Sequence, residues 1–100
     1  MESGLGTYLK INVHIDEIDG LKMSDMDFTC DFYVHSGRTQ YIPKKDMLKA
    51  DDENYVALVD SSKVGKGLVR CKVTVYVPDG DFTEGFRKEV CTVSTDIIIQ

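Results

Sequence analysis

The sequence predicts an all-β protein, an antiparallel immunoglobulin-like β-sandwich of about seven strands that forms a single domain over residues 1–100. Apolar and polar residues alternate through several segments, which is typical of strands with one buried and one exposed face. Turn residues separate these segments at short intervals, and no segment carries a sustained helical pattern. A small barrel is the second architecture that this pattern allows.

Three segments show the clearest alternation, at residues 7–15, 26–34 and 68–77. Every second residue in them is apolar, so we expect one face of each strand to contribute to a shared core. The residues expected to point inward are Leu9, Ile11, Val13, Ile15, Met26, Phe28, Cys30, Phe32, Val34, Val69, Cys71, Val73, Val75 and Val77. Thr29 lies on the outward register of the second segment.

Shorter strands are predicted at residues 39–42, 55–59 and 86–95. The run of three β-branched residues at 97–99 predicts a terminal strand covered on both faces, by this domain or by a neighbour. Turns are predicted at residues 19–20, 35–38 and 78–81, where glycine follows a polar residue. Asp60 or Ser61 is expected to cap a single helical turn.

The segment 44–54 is the only stretch with weak helical character. It lacks a sustained apolar face, so we expect a polar loop with one helical turn around Asp46 to Lys49. Its lysines alternate with acidic residues, which is typical of a solvated loop.

Composition and charge narrow the function classes. The chain is 42% hydrophobic and 29% charged, as in ordinary folded domains. Its formal net charge of -5 argues against nucleic-acid binding, because phosphate contacts need clustered Lys and Arg. The amino-terminal residues do not resemble a signal peptide, and no run approaches the roughly 18 apolar residues that span a bilayer. We therefore expect cytoplasmic synthesis and no membrane partner, with assembly into a virion as a route out of the cell.

The chain has three cysteines, Cys30, Cys71 and Cys91. An odd number with wide spacing does not predict a disulfide framework, and the absence of a C-x-x-C pair argues against a zinc site. We expect Cys30 and Cys71 to be buried reduced thiols. The alternative is a Cys30–Cys71 disulfide that bridges the two sheets. No cofactor is predicted. The acidic loops at residues 51–54 and 79–84 would bind calcium only if the two loops converged.

Catalytic patterns are not evident in the sequence. It contains no G-x-S-x-G elbow, and His14 and His35 fit ordinary surface positions. The segment 64–67 has two glycines and a lysine without the phosphate-loop spacing, so we expect a turn there. The sequence therefore predicts a binding or structural module and not an enzyme.

Three tyrosines stand on the outward register of three predicted strands: Tyr8, Tyr33 and Tyr76. Tyrosine is enriched at interfaces, so these residues are candidates for a partner-binding patch. The alternative is that they pack across neighbouring strands on an exposed face. A carbohydrate site built on Tyr33, Tyr41 or Tyr76 is a second possibility for recognition.

The second half of the chain resembles small β-sandwich proteins of Bacteroides phages and prophages. The residues that carry the resemblance are 41–46 (YIPKKD), 55–60 (YVALVD), 64–68 (VGKGL), 77–82 (VPDGDF) and 85–90 (GFRKEV). The chain is also distantly similar to the amino-terminal, immunoglobulin-like domain of phage upper baseplate proteins. The resemblance implies a tail, baseplate or appendage component that assembles with copies of itself or with other proteins, and it implies no catalytic residues.

Overall fold

A computed structural model describes residues 2–3, 8–35 and 38–100. Within these residues the chain forms eight strands and a single helical turn, α1. The strands are β1 (Glu2–Ser3), β2 (Tyr8–His14), β3 (Asp27–Tyr33), β4 (Thr39–Pro43), β5 (Leu48–Asp51), β6 (Asn54–Asp60), β7 (Gly67–Pro78) and β8 (Phe86–Ile99), and α1 spans Ser61–Val64. Short 3-10 turns lie at Met23–Asp25 and Lys44–Asp46.

The strands form two sheets. The larger has five described strands in the order β1-β8-β7-β3-β4, and the smaller has three in the order β2-β6-β5. All neighbours are antiparallel except β1, which pairs parallel with the end of β8. The orders β8-β7-β3 and β2-β6-β5 match the CFG strands and the BED strands of immunoglobulin-like sandwiches. The predicted all-β sandwich is therefore confirmed.

The core lies between the two sheets and is built by the predicted alternation. Leu9, Ile11 and Val13 of β2 are at most 6% exposed. On the facing sheet, Phe28 and Phe32 are fully buried. The ring of Phe28 meets the ring of Tyr55 edge-on across the core, with centroids 5.2 Å apart. Thr29 is the exception to the predicted register, because it is buried at 7% exposure although it lies on the outer face of a central strand.

The prediction of a polar loop over residues 44–54 was wrong in part. The helical turn begins two residues earlier than expected, at Lys44, and it is followed by β5. All four residues of β5 are exposed, so no apolar alternation marks it as a strand. Its backbone nevertheless pairs with β6 and adds an edge strand to the smaller sheet.

The two predicted carboxyl-terminal segments form one strand, β8, with an irregular register between Leu68 and Arg70 of its partner β7. Thr95 bridges this bulge, because its hydroxyl donates to the Val69 carbonyl at 2.8 Å and accepts from the Ile97 amide at 3.3 Å. The domain covers only one face of the terminal residues: Ile97 and Ile99 are buried, whereas Ile98 is 42% exposed.

Local signals placed most connections correctly. Asp19 and Gly20 both have positive φ angles, of 52° and 80°, and form the predicted tight turn. The Asp60 side chain caps α1 by accepting from the amide of Ser62 at 3.0 Å, as predicted. The predicted turn at residues 35–38 lies partly outside the described residues, since 36 and 37 are not among them.

Candidate functional site

A groove of about 810 Å³ runs along one side of the sandwich. Its walls are the edge strand β2 on the smaller sheet and strands β7 and β8 on the larger sheet. The lining is mainly apolar, and the residues that define its interior are Ile11, Val13, Ile15, Val73, Val75 and Ile97. A groove of this size and character is of the kind that binds ligands or chain segments.

The groove exists because the two sheets differ in width. Val73 and Val75 point into the core from β7, and their partners on β8 are Cys91 and Glu89. Directly paired residues lie on the same face of a sheet, so Cys91 and Glu89 also face inward. Both are nevertheless exposed. Strand β8 therefore extends beyond the cover that the smaller sheet provides.

The edge of β2 is the second feature of the groove. Among the described residues, β2 pairs with β6 on one side, and no strand of the smaller sheet pairs with its other side. An unpaired strand edge presents a row of backbone N–H and C=O groups that can accept another strand. The groove thus combines an apolar floor with a hydrogen-bonding wall.

Arg87 forms a cluster of ion pairs next to one end of the groove, which Glu89 lines. Its guanidinium contacts the carboxylates of Asp19 at 2.7 Å, Asp79 at 3.0 Å and Glu89 at 3.3 Å. The contact with Asp19 ties the turn that follows β2 to the start of β8. These carboxylates, Asp19 first, raise the pKa of Arg87. The pKa of Asp79 is lowered, because its carboxylate accepts from the Asp81 amide and from Arg87.

His14 lies at the same end of β2, on the rim of the groove. Its Nδ1 lies 2.8 Å from the carbonyl oxygen of Glu53, and its Nε2 lies 3.0 Å from a carboxylate oxygen of Asp16. Both neighbours are acceptors for the protonated ring. They therefore raise the pKa of His14 above its ordinary value of 6.5, with the Glu53 carbonyl as the larger cause.

The three cysteines lie on adjacent strands of the larger sheet, Cys30 on β3, Cys71 on β7 and Cys91 on β8. All three thiols are free; Cys30 and Cys71 are buried and Cys91 is exposed. The neighbouring Cys71 and burial together raise the pKa of Cys30. The expected buried thiols are confirmed. The alternative disulfide between sheets is wrong, because both residues belong to one sheet.

The three tyrosines predicted as a partner-binding patch do not form one. Tyr8 is 71% exposed on the outer face of the smaller sheet, whereas Tyr33 and Tyr76 lie on the outer face of the larger sheet. Tyr33 is paired with Arg70, six residues from Tyr76 along β7, which is about 20 Å. Tyr76 packs edge-on against Phe86, with centroids 5.2 Å apart.

The described part of the chain shows neither a metal centre nor a membrane-spanning helix. No group of three or more His, Cys, Asp or Glu residues there is arranged to hold a metal ion. The convergence of acidic loops that calcium would need is thus not found among these residues. No helix in the same residues is long and apolar enough to cross a membrane.

Sequence reasoning missed the groove, although one signal for it was present. Glu89 and Cys91 occupy the inward register of β8 next to exposed residues, and a charged residue in an inward position marks a face that is not covered. Comparisons of the sequence and the structure with family models, curated proteins and solved structures found no match.

Proposed function

We propose that this chain is a non-enzymatic interaction module that assembles with protein partners, or with copies of itself, through the groove between β2 and β8. The observation that carries the proposal is the uncovered side of the sandwich, where the inward face of β8 and the free edge of β2 are exposed together.

Two physical considerations support this proposal. Folded proteins usually shield strand edges with charges, bulges or a covering segment, because a free edge beside apolar surface promotes association. Here the mainly apolar interior of the groove lies beside such an edge. A partner that covers both would bury apolar area and pair the free backbone groups.

The resemblance to phage and prophage β-sandwich proteins suggests the assembly in which the module acts. On this proposal, the chain is made in the cytoplasm and becomes part of a tail or baseplate. Its partners are then neighbouring structural proteins of the particle. This setting rests on the sequence resemblance alone.

The test is assembly in the cells from which the protein comes, with a groove-blocking variant and a matched control. Cys91→Trp places an indole in the groove, whereas Thr92→Trp places it on the opposite face of the same strand, where Thr92 is also exposed. We expect chemical cross-linking to recover complexes with the wild type and with Thr92→Trp, and at least about fivefold less with Cys91→Trp.

Two results would contradict the proposal. One is a wild-type chain that stays monomeric in cells and in sedimentation at micromolar concentration. The other is a set of complexes that the Cys91→Trp change leaves intact.

Carbohydrate binding is a second candidate, favoured by one feature of the outer face of the larger sheet. Tyr41, 60% exposed on β4, is paired with Asp31, and Tyr33 lies diagonally across from it on β3. Such diagonal neighbours are roughly 7–8 Å apart. Glycan-array binding that Tyr41→Ala abolishes and Tyr8→Ala retains would support this function; an array without signal would remove it.

A further inference from the structure

We infer that the occupant of the groove is one extended segment of a partner chain, which pairs antiparallel with β2 and becomes the fourth strand of the smaller sheet. This inference rests on the proposed function, because it names the form in which the partner binds.

The strand order shows a place for such a segment. In constant-type immunoglobulin domains the corresponding sheet has four strands, and the first of them lies antiparallel beside the second. In this chain β2 corresponds to that second strand, but the preceding strand β1 pairs with β8 in the other sheet. The position beside β2 and above β8 is therefore vacant in the described structure.

The projection of β8 beyond β2 favours a single strand over a second folded copy as the occupant of the groove. Strand β8 projects beyond β2 as one wall of the groove. A second sandwich that paired its own β2 edge here would bring its own projecting β8 into the same space. A lone extended segment meets no such obstacle, because it has a strand's width and carries no second sheet.

The two faces of the added strand would meet different surroundings. Side chains on one face would lie over Cys91, Thr95 and the apolar interior of the groove. Those on the other face would continue the exposed row formed by Lys10, Asn12 and His14 of β2. Since strand side chains alternate between faces, the segment that fits has apolar residues at every second position and polar residues between them.

The charges that line the groove indicate which residues fit at the two ends of the segment. Asp16 and Glu89 lie toward the end where Arg87 is bonded to Asp19, and Lys10 lies nearer the opposite end of β2. A segment antiparallel to β2 begins beside Asp16 and Glu89 and finishes beside Lys10. Complementary charges are therefore a basic residue at its amino end and an acidic residue at its carboxyl end.

The probe is a synthetic seven-residue peptide, Lys-Val-Thr-Val-Thr-Val-Glu, which matches the seven residues of β2. The control peptide, Lys-Val-Val-Val-Thr-Thr-Glu, has the same composition and end charges but lacks the alternation. The exposed Cys91 thiol is a built-in reporter of occupancy, since Cys30 and Cys71 are buried and alkylate slowly.

We expect about 1 mM of the alternating peptide to slow maleimide alkylation of Cys91 at least about fivefold in the full chain. Amide exchange should slow at alternate residues of β2, because only alternate N–H groups of an edge strand point toward the added strand. The control peptide should produce neither effect.

Three results would overturn the inference. The first is no protection by either peptide. The second is equal protection by both. The third is protection of Cys91 by a small apolar molecule such as decanoate, with no peptide effect on the β2 amides, which would mean that the groove takes a ligand and not a strand.

The two proposals fail separately. If cross-linked complexes form and depend on the groove but the peptide has no effect on β2, the interaction function stands and the added strand is wrong. If the peptide binds as expected but the chain forms no complexes in its cells, the groove accepts strands and the assembly function is wrong.

Discussion

The two sides of this sandwich are built differently, although the same two sheets form both. On the closed side the chain itself passes from β4 through the Lys44–Asp46 turn to β5 and joins the sheets. On the open side β8 extends past β2, and an apolar groove remains. The chain itself therefore closes one side of the sandwich. The other side stays open because the smaller sheet has no described strand beyond β2 to cover β8.

Lys44 completes the seal of the closed side. Its ammonium donates to the carbonyls of Met23, Ser24 and Met26 at 3.1, 3.2 and 2.8 Å. It also lies 5.7 Å from the ring centroids of both Phe28 and Tyr55. On the open side, by contrast, Lys10 is exposed on the rim of the groove, and the ion pairs of Arg87 lie next to only one end of it. On the closed side, a charged side chain thus stabilises the crossing between the sheets by donating to three backbone carbonyls.

The largest effect that separates the two sides is expected from truncating matched isoleucines. Ile42 on β4 is 6% exposed on the closed side, whereas Ile15 is half-buried on the wall of the groove. We expect Ile42→Ala to lower the free energy of unfolding by about 3 kcal/mol, because it creates an enclosed cavity. Ile15→Ala should cost about 1 kcal/mol, because water already reaches that side chain. Urea denaturation of both variants measures the difference, and equal costs would mean that the groove is closed in solution.

A smaller effect is expected from removing the ammonium of Lys44. Lys44→Met keeps an unbranched side chain but removes the ammonium, which leaves three carbonyl groups without their shared donor, so we expect a loss of about 2 kcal/mol. Lys45→Met, at the exposed neighbouring position, is the matched control and should change stability by less than about 0.5 kcal/mol. A Lys44 variant as stable as the control would show that solvent replaces the ammonium and that the seal is unimportant.

Removing the ion pairs of Arg87 should have a still smaller effect on stability. Arg87→Met breaks the bonds to Asp19 and Asp79, and we expect the midpoint of thermal unfolding to fall by about 2–4 °C. Because the pKa of Asp79 is lowered in the folded state, its stabilising contribution is present above the ordinary value of 3.8 and is lost as pH falls. As the pH falls from neutral to below 3.8, the Arg87→Met variant should therefore lose less stability than the wild type. Thermal unfolding of both proteins at neutral and at acid pH measures this difference. Midpoints that stay as far apart in acid as at neutral pH would contradict this role of Arg87.

The smallest expected effect is the titration of His14. Because its pKa is raised in the folded state, its contribution is fully present below 6.5 and is lost as pH rises through the folded pKa. We expect His14→Gln to cost less than about 0.5 kcal/mol, and only at the lower pH, since the ring is 45% exposed. A ring titration by NMR with a midpoint at or below 6.5 would contradict it. Asp16→Asn should lower the midpoint only in part, because the Glu53 carbonyl remains.

Much of the fold could be predicted from the sequence because most strands have one face on the core. The alternation from Leu9 to Val13 placed β2, and the Asp19-Gly20 pair placed the turn that follows it. The exposed edge strand β5 escaped prediction because none of its side chains is buried. The groove also escaped, because the membership of β2 and β8 in different sheets is decided by distant pairing and not by local pattern. The separation of Tyr8 from Tyr33 and Tyr76 also escaped prediction, because it too depends on which distant strands pair.

The pairing pattern has a consequence for the rate at which the chain folds. Leu9 pairs with Val59 and Phe28 with Val75, so two of the central contacts join residues 50 and 47 positions apart. Closing such loops precedes the stabilisation that they bring, and β-sandwiches of this kind fold in milliseconds to seconds. Strands β7 and β8, which follow one another directly, can pair first and serve as a template for β3. Formation of the β7–β8 hairpin in microseconds is too fast for stopped-flow mixing, so it should contribute only a burst of signal lost within the dead time. The long-range pairs should then form in a slower phase that the instrument resolves.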